Sequence, residues 1–262
     1  MGIVPYIKPG FDLANKAADV FESRPEVDGL LLLKHGIFTF GETALESYER
    51  MIAAISLVEE RLQKGRRSVF APAPLPAHKL TVAEISPIVK GACSLKDESW
   101  LDGYRRFVVD FRTGPEILAY VDGEDLSRYS QVGCVTPDHT IRTKNWPLIL
   151  PSPERGTTEA FMTAVKRAVG VFAVMYDEYF ERNNAHQGQP KMKLDPVPRV
   201  VLVPGVGFFG VGRTAKEARI AADIAESIDK KNNLSLLFRY VLKHKAVVKA
   251  MVYPLMVPPG VP

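Results

Sequence analysis

The sequence predicts an α/β protein with a largely antiparallel sheet, because short strand patterns alternate with helical patterns and one unit occurs twice. The two units cover residues 28–60 and 198–230, and an offset of 171 residues aligns them. A Thr-x-x-Glu capping box opens the predicted helix of each unit, at Thr43 and at Thr214. An internal repeat is stronger evidence for architecture than any single motif. The composition, 46% hydrophobic and 24% charged, is typical of a globular protein.

The first unit begins with an unbroken apolar run at residues 30–33, a pattern that favours a strand buried on both faces. Lys34-His35-Gly36 interrupts this run, and a second short strand is predicted at residues 37–40. His35 is the side chain of this unit that is suited to metal or acid–base chemistry near neutral pH. An amphipathic helix follows. Its apolar positions recur at helical spacing, at Tyr48, Met51, Ile52, Ile55 and Leu62.

The second unit repeats the scaffold but not the histidine. At the offset of 171 residues, Gly36 aligns with Gly207, whereas His35 aligns with Val206. This difference indicates that the two copies diverged, one of them toward a structural role. The helix of the second unit is predicted to bury Ala218, Ala221, Ala222, Ile224, Ala225 and Ile228.

The remaining segments are predicted in chain order. Residues 1–11 are extended, and a helix at residues 13–21 is capped by Asp12. A core strand so close to the first residue suggests that the natural start is missing. Proline and alanine dominate residues 64–78, which we expect to be a semi-rigid connector.

The segments after the connector are predicted less uniformly. Residues 81–91 form a helix or a strand before Pro87, residues 107–111 a strand and residues 115–121 a helical turn. A long amphipathic helix is predicted at residues 157–180. Its apolar stripe belongs to the core and is Phe161, Val165, Ala168, Val169, Phe172, Met175, Tyr176 and Tyr179.

These patterns divide the chain into four parts. The first incomplete unit covers residues 1–63, the connector residues 64–78 and the second, diverged unit residues 79–230. Residues 181–196, within the second unit, are expected to be an exposed loop. The tail at residues 231–262 has an atypical pattern.

A cluster of polar side chains lies between two predicted strands at residues 135–150. Cations that neutralise an anion, a histidine that donates or binds metal, and a carboxylate that orients the histidine would together suit an anionic ligand. A solvated loop with a local Asp–His hydrogen bond explains the same residues, and the sequence leaves both readings open. The residues are Asp138, His139, Arg142 and Lys144.

The second unit also contains a Gly-x-Gly-x-x-Gly pattern at residues 205–210, directly after the predicted strand at 200–203. A dinucleotide site requires the following helix to open within the glycine turn, so that its N-terminus meets the pyrophosphate. Here the next helix is predicted to begin near Thr214, after another apolar piece. The repeat explains the glycines as the counterpart of the Lys34-His35-Gly36 turn.

The bulk numbers exclude several partners. The net charge of +4, with no dense basic run beyond residues 64–67, gives no indication of nucleic-acid binding. Two cysteines, Cys93 and Cys134, do not form a disulfide framework, which favours reduced thiols in the cytoplasm. No apolar run approaches the length of a membrane span, and no membrane partner is expected.

Residues 30–60 resemble the second half of the class II aldolase/adducin domain. The resemblance rests on the apolar strand, Lys34-His35-Gly36 and Gly41-Glu42-Thr43 with the helix behind them. Nearly all of the chain up to Asp229 resembles the aldolase part of the bifunctional rhamnulose-1-phosphate aldolase/short-chain alcohol dehydrogenase proteins. The supporting segments are VPYIKPGFDLA, KHGIFTFGET, VTPDHTIRTKNWP and RVVLVPGVGFFGVGRT.

This resemblance implies a three-layer α/β/α class II aldolase-like fold and a divalent metal, usually zinc, held by three histidines. The metal acts as a Lewis acid on the ketose carbonyl. His35 matches the third ligand, whereas the chain has no His-x-His pair for the other two. The implied reaction is cleavage of rhamnulose 1-phosphate to dihydroxyacetone phosphate and lactaldehyde, in a homo-oligomer. We therefore expect a fragment that is inactive alone.

Two other functions remain open. A non-catalytic scaffold or oligomerisation module, as in the adducin branch of the superfamily, is favoured by Val206 in place of histidine. A nucleotide-dependent oxidoreductase is favoured by the glycines at residues 205–210 and by the dehydrogenase domain of the bifunctional proteins.

Overall fold

The computed structural model describes residues 1–64, 71–134, 139–185 and 191–226, with residues 228–229 and 234–235. These residues form two compact units. The first comprises the described residues up to 64, and the second comprises the described residues from 71 onward. The predicted connector therefore lies partly outside the described residues, as does most of the tail at residues 231–262.

The first unit is a small mixed α/β body. Strand β1 (Gly2–Val4) leads to helix α1 (Phe11–Ser23), strand β2 (Gly29–Leu32), strand β3 (Gly36–Thr39) and helix α2 (Ala44–Lys64). The sheet order is β1-β2-β3, in which β1 pairs with β2 in parallel and β3 pairs with β2 antiparallel. The sequence predicted both strands of this hairpin and both helices.

The core of the first unit is small. It consists of Val4, Val27, Leu30 and Leu32, against which side chains of α1 and Phe40 pack. The capping box of α2 is present, because the Glu46 N–H donates to the Thr43 hydroxyl at 3.2 Å. The Glu46 carboxylate also accepts from the Glu42 N–H at 2.8 Å. These bonds satisfy N–H groups that the first helical turn would otherwise leave unpaired.

The second unit alternates helices and strands over a longer stretch. Its elements are α3 (Val82–Ala92), β4 (Leu95–Lys96), β5 (Tyr104–Arg105), β6 (Val108–Arg112), α4 (Pro115–Val121), α5 (Leu126–Tyr129), α6 (Thr140–Thr143), β7 (Leu148–Ile149), α7 (Thr158–Asn184), β8 (Val200–Val203), β9 (Gly207–Gly212), α8 (Ala215–Glu226), β10 (Ile228–Asp229) and β11 (Leu234–Ser235).

The main sheet of this unit has the order β6-β9-β8-β7. Both β6 and β8 pair antiparallel with β9, whereas β7 pairs in parallel with β8. Two buried clusters pack on this sheet. One is formed largely by α3, α7 and the strands, and the other by α4, α5, α8 and the strands. Four alanines let α8 approach the sheet closely, namely Ala218, Ala221, Ala222 and Ala225.

The hairpins of the two units have the same register. In the first, Leu32 pairs with Gly36, and in the second, Val203 pairs with Gly207. Every other residue pair of the two hairpins also differs by 171 positions. The element order β1-α1-β2-β3-α2 matches β7-α7-β8-β9-α8 as well, including the parallel first strand. The correspondence therefore extends beyond the segments that the sequence aligned.

The structure corrects several local predictions. Asp12 does not cap α1, because the helix begins at Phe11 and places Asp12 in its first turn. Residues 181–184, predicted as loop, continue α7 because this helix ends at Asn184. Residues 82–92 are helical, and this helix passes through Pro87.

The apolar positions predicted on α2 are a further correction. Tyr48, Ile52 and Ile55 lie at the predicted spacing but are exposed instead of facing a core. In α7, Met175 is also exposed, whereas Phe161, Val165, Phe172 and Tyr176 are buried as expected. Among the helices of the described residues, none is long and apolar enough to span a membrane.

Candidate functional site

The turn between β2 and β3 contains His35, the predicted metal ligand. The His35 N–H donates to the Leu32 carbonyl at 3.0 Å and closes a tight turn. Lys34 and Gly36 both have positive φ, at 66° and 145°. A lysine in the left-handed region costs about 1 kcal/mol relative to an ordinary conformation. The packing around this turn must therefore stabilise its backbone.

The residues that follow β1 provide this packing. The His35 Nε2 lies 2.8 Å from the Ile7 carbonyl, and the ring stacks on Tyr6 with centroids 5.3 Å apart. The Lys34 ammonium lies 5.5 Å from the Tyr6 ring centroid. Because a carbonyl only accepts, Nε2 carries a proton, and in the neutral ring Nδ1 is the basic nitrogen. The imidazole is half-buried and held in one orientation.

The corresponding turn between β8 and β9 has the same backbone bond. The Val206 N–H donates to the Val203 carbonyl at 3.0 Å, and the Val206 carbonyl accepts from the Thr113 hydroxyl at 2.8 Å. The Val206 side chain packs against the larger buried cluster. This turn is therefore part of the apolar interior of the second unit.

The glycines of this second turn have packing roles. The Gly205 N–H donates to the Asp122 carboxylate at 2.6 Å, and a Cβ at Gly205 would lie 2.2 Å from Lys79 Cε. A Cβ at Gly207 would lie 2.3 Å from the Arg112 carbonyl oxygen. The turn continues into β9, and α8 begins only at Ala215. This is not the strand–turn–helix context of a dinucleotide fingerprint.

The predicted anion-binding residues take different positions. Asp138 lies outside the described residues. His139 precedes α6 and is half-buried, and its Nδ1 is buried without a hydrogen-bond partner in the part of the chain that the structure describes. Arg142 is exposed on α6, whereas Lys144 is buried. The described geometry does not bring the Lys144 and Arg142 cations to one surface, and anion binding by this group stays a prediction.

The Lys144 ammonium lies inside the second unit. It donates to the Asp195 carbonyl and lies 3.5 Å from the Tyr176 ring centroid, and the residue is only 1% exposed. Burial, and then the positive charge of Arg199, lower the pKa of Lys144 to about 7, although Asp195 and Asp177 oppose this shift. A buried lysine that is part neutral near pH 7 is chemically unusual.

Asp195 and Arg199 form a buried ion pair beside this lysine. The Arg199 guanidinium donates to the Asp195 carboxylate at 2.6 Å and to the Val197 carbonyl at 3.0 Å. Burial alone would raise the pKa of Asp195, but the hydrogen bond and charge of Arg199 outweigh it and hold the pKa below its usual value. The sequence analysis missed this pair, whose signal is an acid and a base four residues apart before a strand of only apolar residues.

A groove of about 860 Å³ runs along α7 and β7. Its lining is mostly apolar and includes Leu148, Val171 and Met175. Arg167 and Glu159 are its charged residues. The groove offers a surface for packing instead of a convergent set of acid–base groups.

Comparison with known protein families assigns both units. Residues 80–230 match the family described as "Aldolase class II, second domain". Residues 1–62 match the "Class II Aldolase and Adducin N-terminal domain". The chain belongs to the class II aldolase family. The suspected resemblance is thereby confirmed at the level of the family.

One curated relative shows how this class II aldolase chain compares with a longer protein. The chain is similar to "Uncharacterized oxidoreductase YuxG" of Bacillus subtilis (strain 168), with 28% identity over 226 residues. These residues are 83% of this chain but 31% of the relative, so the chain spans less than a third of that protein's length. No solved structure matches the chain.

Class II aldolases generally use a divalent metal, so we tested whether the residues present could hold one. Catalytic sites usually supply three protein ligands. Within the described ranges, no three histidine, cysteine, aspartate or glutamate side chains cluster as a metal-binding set. The Nε2 proton of His35 on a backbone carbonyl is a common arrangement for a histidine ligand, but one imidazole does not make a site. The described residues do not fit a catalytic metal by themselves.

Proposed function

We propose that this chain is the aldolase part of a metal-dependent carbon–carbon lyase that acts on a sugar phosphate. The proposed substrate is rhamnulose 1-phosphate, and the products are dihydroxyacetone phosphate and lactaldehyde. The single observation that carries the proposal is the fixed orientation of His35 at the tip of a strained turn. In the family resemblance, this position is that of the third metal ligand, and zinc is the proposed metal.

We further propose that the chain is inactive alone. Among the described residues, His35 is not accompanied by two further ligands, so the metal set must be completed by residues outside them. The proposal includes a three-layer α/β/α arrangement, descent of the two units from one ancestral unit, homo-oligomers and a cytoplasmic location. The equal hairpin registers support common descent, and the free thiols Cys93 and Cys134 support a reducing compartment.

The relative's printed name suggests an oxidoreductase activity in that longer protein. We therefore propose that this chain corresponds to the aldolase part of a bifunctional aldolase–dehydrogenase. The glycines at residues 205–210 lead into β9, which argues against a nucleotide site within this chain. We expect the purified chain not to bind NAD in isothermal titration calorimetry.

A non-catalytic scaffold remains the second candidate. Val206, packed into the core at the position that corresponds to His35, favours this role for the second unit. Under this alternative the first unit also lacks metal chemistry, even in a complete site.

Zinc affinity and turnover of rhamnulose 1-phosphate test the proposal. For the isolated chain we expect no stoichiometric zinc and no cleavage. We expect both in a chimera in which residues 1–226 replace the matching part of the Bacillus subtilis relative. His35→Ala should abolish both in the chimera, whereas the matched control His139→Ala should retain them.

Two results would contradict the proposal in different ways. Metal-dependent turnover by the isolated chain, lost with His35→Ala, would show that the chain is not inactive alone. If the relative itself cleaves the sugar phosphate and the chimera folds but does not, the scaffold function would replace the lyase function for this chain.

A further inference from the structure

Helix α2 carries an exposed apolar stripe. The stripe is defined by four residues spaced three, four and three positions apart, which places them on one face of the helix. The exposed fractions are 65% for Leu45, 63% for Tyr48, 44% for Ile52 and 41% for Ile55. Contiguous apolar surface of this kind usually marks an interaction site.

The corresponding face of α8 is charged. At the offset of 171 residues, the stripe of α2 corresponds to Lys216, Arg219, Asp223 and Glu226. The two helices have the same capping geometry, since Glu217 donates its N–H to Thr214 as Glu46 does to Thr43. The helices are therefore matched in position and differ in the chemistry of this face.

Strand β6 shows what covers this position in the second unit. It pairs antiparallel with the outer edge of β9, and Arg112 lies opposite Phe208. From there the Arg112 guanidinium donates to Asp223 at 2.8 Å and to Glu226 at 2.7 Å. The two acids that bind the strand correspond to Ile52 and Ile55 in the first unit.

In the first unit, β3 is the edge strand of the described sheet. Its residue Ile37 corresponds to Phe208, and Thr39 faces α2, because its hydroxyl donates to the Ser47 carbonyl at 2.8 Å. On the other face, Phe38 is 59% exposed, whereas the corresponding Phe209 is fully buried. The edge of β3 has the same orientation toward its helix as the edge of β9.

We propose that the outer edge of β3 and the apolar stripe of α2 bind an extended strand of a partner polypeptide chain, which pairs antiparallel with β3 as β6 pairs with β9 and places an aliphatic side chain where β6 places Arg112. Strand addition satisfies the backbone groups of an exposed edge, and side-chain pockets then select the partner. An arginine at that position would face Ile52 and Ile55 without an acid, which favours an aliphatic residue.

The comparison favours a separate strand over a second copy of β3. In the second unit the covering strand comes from outside the β8-β9-α8 segment, so its counterpart is a different segment and not a copy of the hairpin. This inference goes beyond the proposed function, and it does not depend on the metal or on His35.

Two peptides test the proposal on the unaltered chain. One has the sequence of residues 107–114, FVVDFRTG, and the other carries isoleucine in place of its arginine. We expect the isoleucine peptide to bind at least about tenfold more tightly in fluorescence anisotropy titrations, because it buries aliphatic surface on the stripe. NMR shifts should fall on residues 36–39 and on the stripe.

A reciprocal variant sharpens the test. The double variant Ile52→Asp, Ile55→Glu recreates the acids of α8 and should reverse the preference, so that the arginine peptide binds more tightly. Leu57→Glu is the matched control, because Leu57 is an exposed apolar residue of α2 outside the stripe, and it should leave the preference unchanged. Circular dichroism checks that both variants fold.

Several outcomes would overturn the proposal. These are equal binding of the two peptides, binding of neither, or binding that maps away from β3. A chain that dimerises in sedimentation velocity and becomes monomeric in the Ile52→Asp, Ile55→Glu variant would assign the surface to a second copy instead.

Discussion

The two hairpin turns share a backbone and differ in their surroundings. His35 and Val206 occupy the same position, and each donates its N–H to the residue three positions earlier at 3.0 Å. His35 stacks on Tyr6 and stays half-buried, whereas Val206 packs into a core. The same local structure therefore serves a polar site in one unit and the interior in the other.

The neighbours of each turn explain this difference. In the second unit, Thr113, Asp122 and Lys79 all contact the turn and enclose it. In the first unit, the contacts come from Tyr6 and Ile7, which follow β1. The backbone of the motif is set locally, and the chemistry of its tip is set by segments from elsewhere in the unit.

The spacing between hairpin and helix provides the largest expected difference between the units. A Cβ at Gly210 would lie 2.4 Å from the Ala218 carbonyl oxygen, whereas the corresponding Thr39 has room for its side chain and bonds to Ser47. We expect Gly210→Thr to lower the free energy of unfolding by about 3 kcal/mol, because backbone must move. Thr39→Gly should cost only about 1 kcal/mol.

Denaturant unfolding can follow the units separately. Both tryptophans, Trp100 and Trp146, belong to the second unit, so their fluorescence reports its stability. Amide hydrogen exchange at residues 29–39 reports the first unit. A Gly210→Thr variant no less stable than Thr39→Gly would show that α8 can move away from its sheet as easily as α2.

The second expected difference is a pH dependence confined to the second unit. The pKa of Lys144 is lowered to about 7 in the folded state and returns toward its ordinary value on unfolding. Between these values the unfolded state binds more protons, so stability should increase with pH, by about 2 kcal/mol between about pH 7 and about pH 9. Stability should fall as the pH decreases toward the folded pKa.

Lys144→Met tests this assignment, because it removes the titrating amine and keeps much of the side-chain volume. We expect the tryptophan-detected stability of the variant to be nearly independent of pH in this window. An unchanged slope in the variant would assign the effect to another group. The exchange of residues 29–39 should show no such slope in either protein.

Exchanging the two turn residues should give a smaller effect. Val206→His places an imidazole against an apolar cluster, and we expect it to destabilise the second unit by about 2 kcal/mol. His35→Val removes the bond to Ile7 and should cost the first unit about 1 kcal/mol. Equal costs measured by the same two methods would mean that the two environments do not differ as described.

The helix caps should give the smallest effects, and the same effect in both units. Thr43→Ala and Thr214→Ala each remove a hydroxyl that accepts from a glutamate N–H at 3.2 Å. We expect each change to cost about 1 kcal/mol. Serine at either position should restore most of the loss. Clearly unequal losses would show that the two helix starts are not equivalent.

Local features of the fold were predictable from the sequence. The strand at residues 200–203 has the predicted bounds, and the repeat offset anticipated the register of both hairpins. These features depend on residues that are close in sequence, such as Gly36 and the Thr43 cap. The family could also be inferred, because its motifs are contiguous.

Features that depend on distant segments could not be read from the pattern. The periodicity of α2 indicated an apolar face, but periodicity does not show whether a partner covers it, and Ile52 is exposed. Lys144 was grouped with surface cations because its neighbours in sequence are polar. Its contacts with Tyr176 and Asp195 arise only from the folded chain. The full ligand set around His35 is likewise a property of segments that the turn does not contain.

The pairing of β6 with β9 also separates the two units in the order of their folding. It joins Val108 to Gly212, so the sheet of the second unit cannot be completed until most of that unit has been synthesised. The hairpin and helix of the first unit need only neighbouring residues, and such local contacts form fastest. On a ribosome, the first unit would have its hairpin in place, with the edge of β3 open, while β6 still waited for its partner.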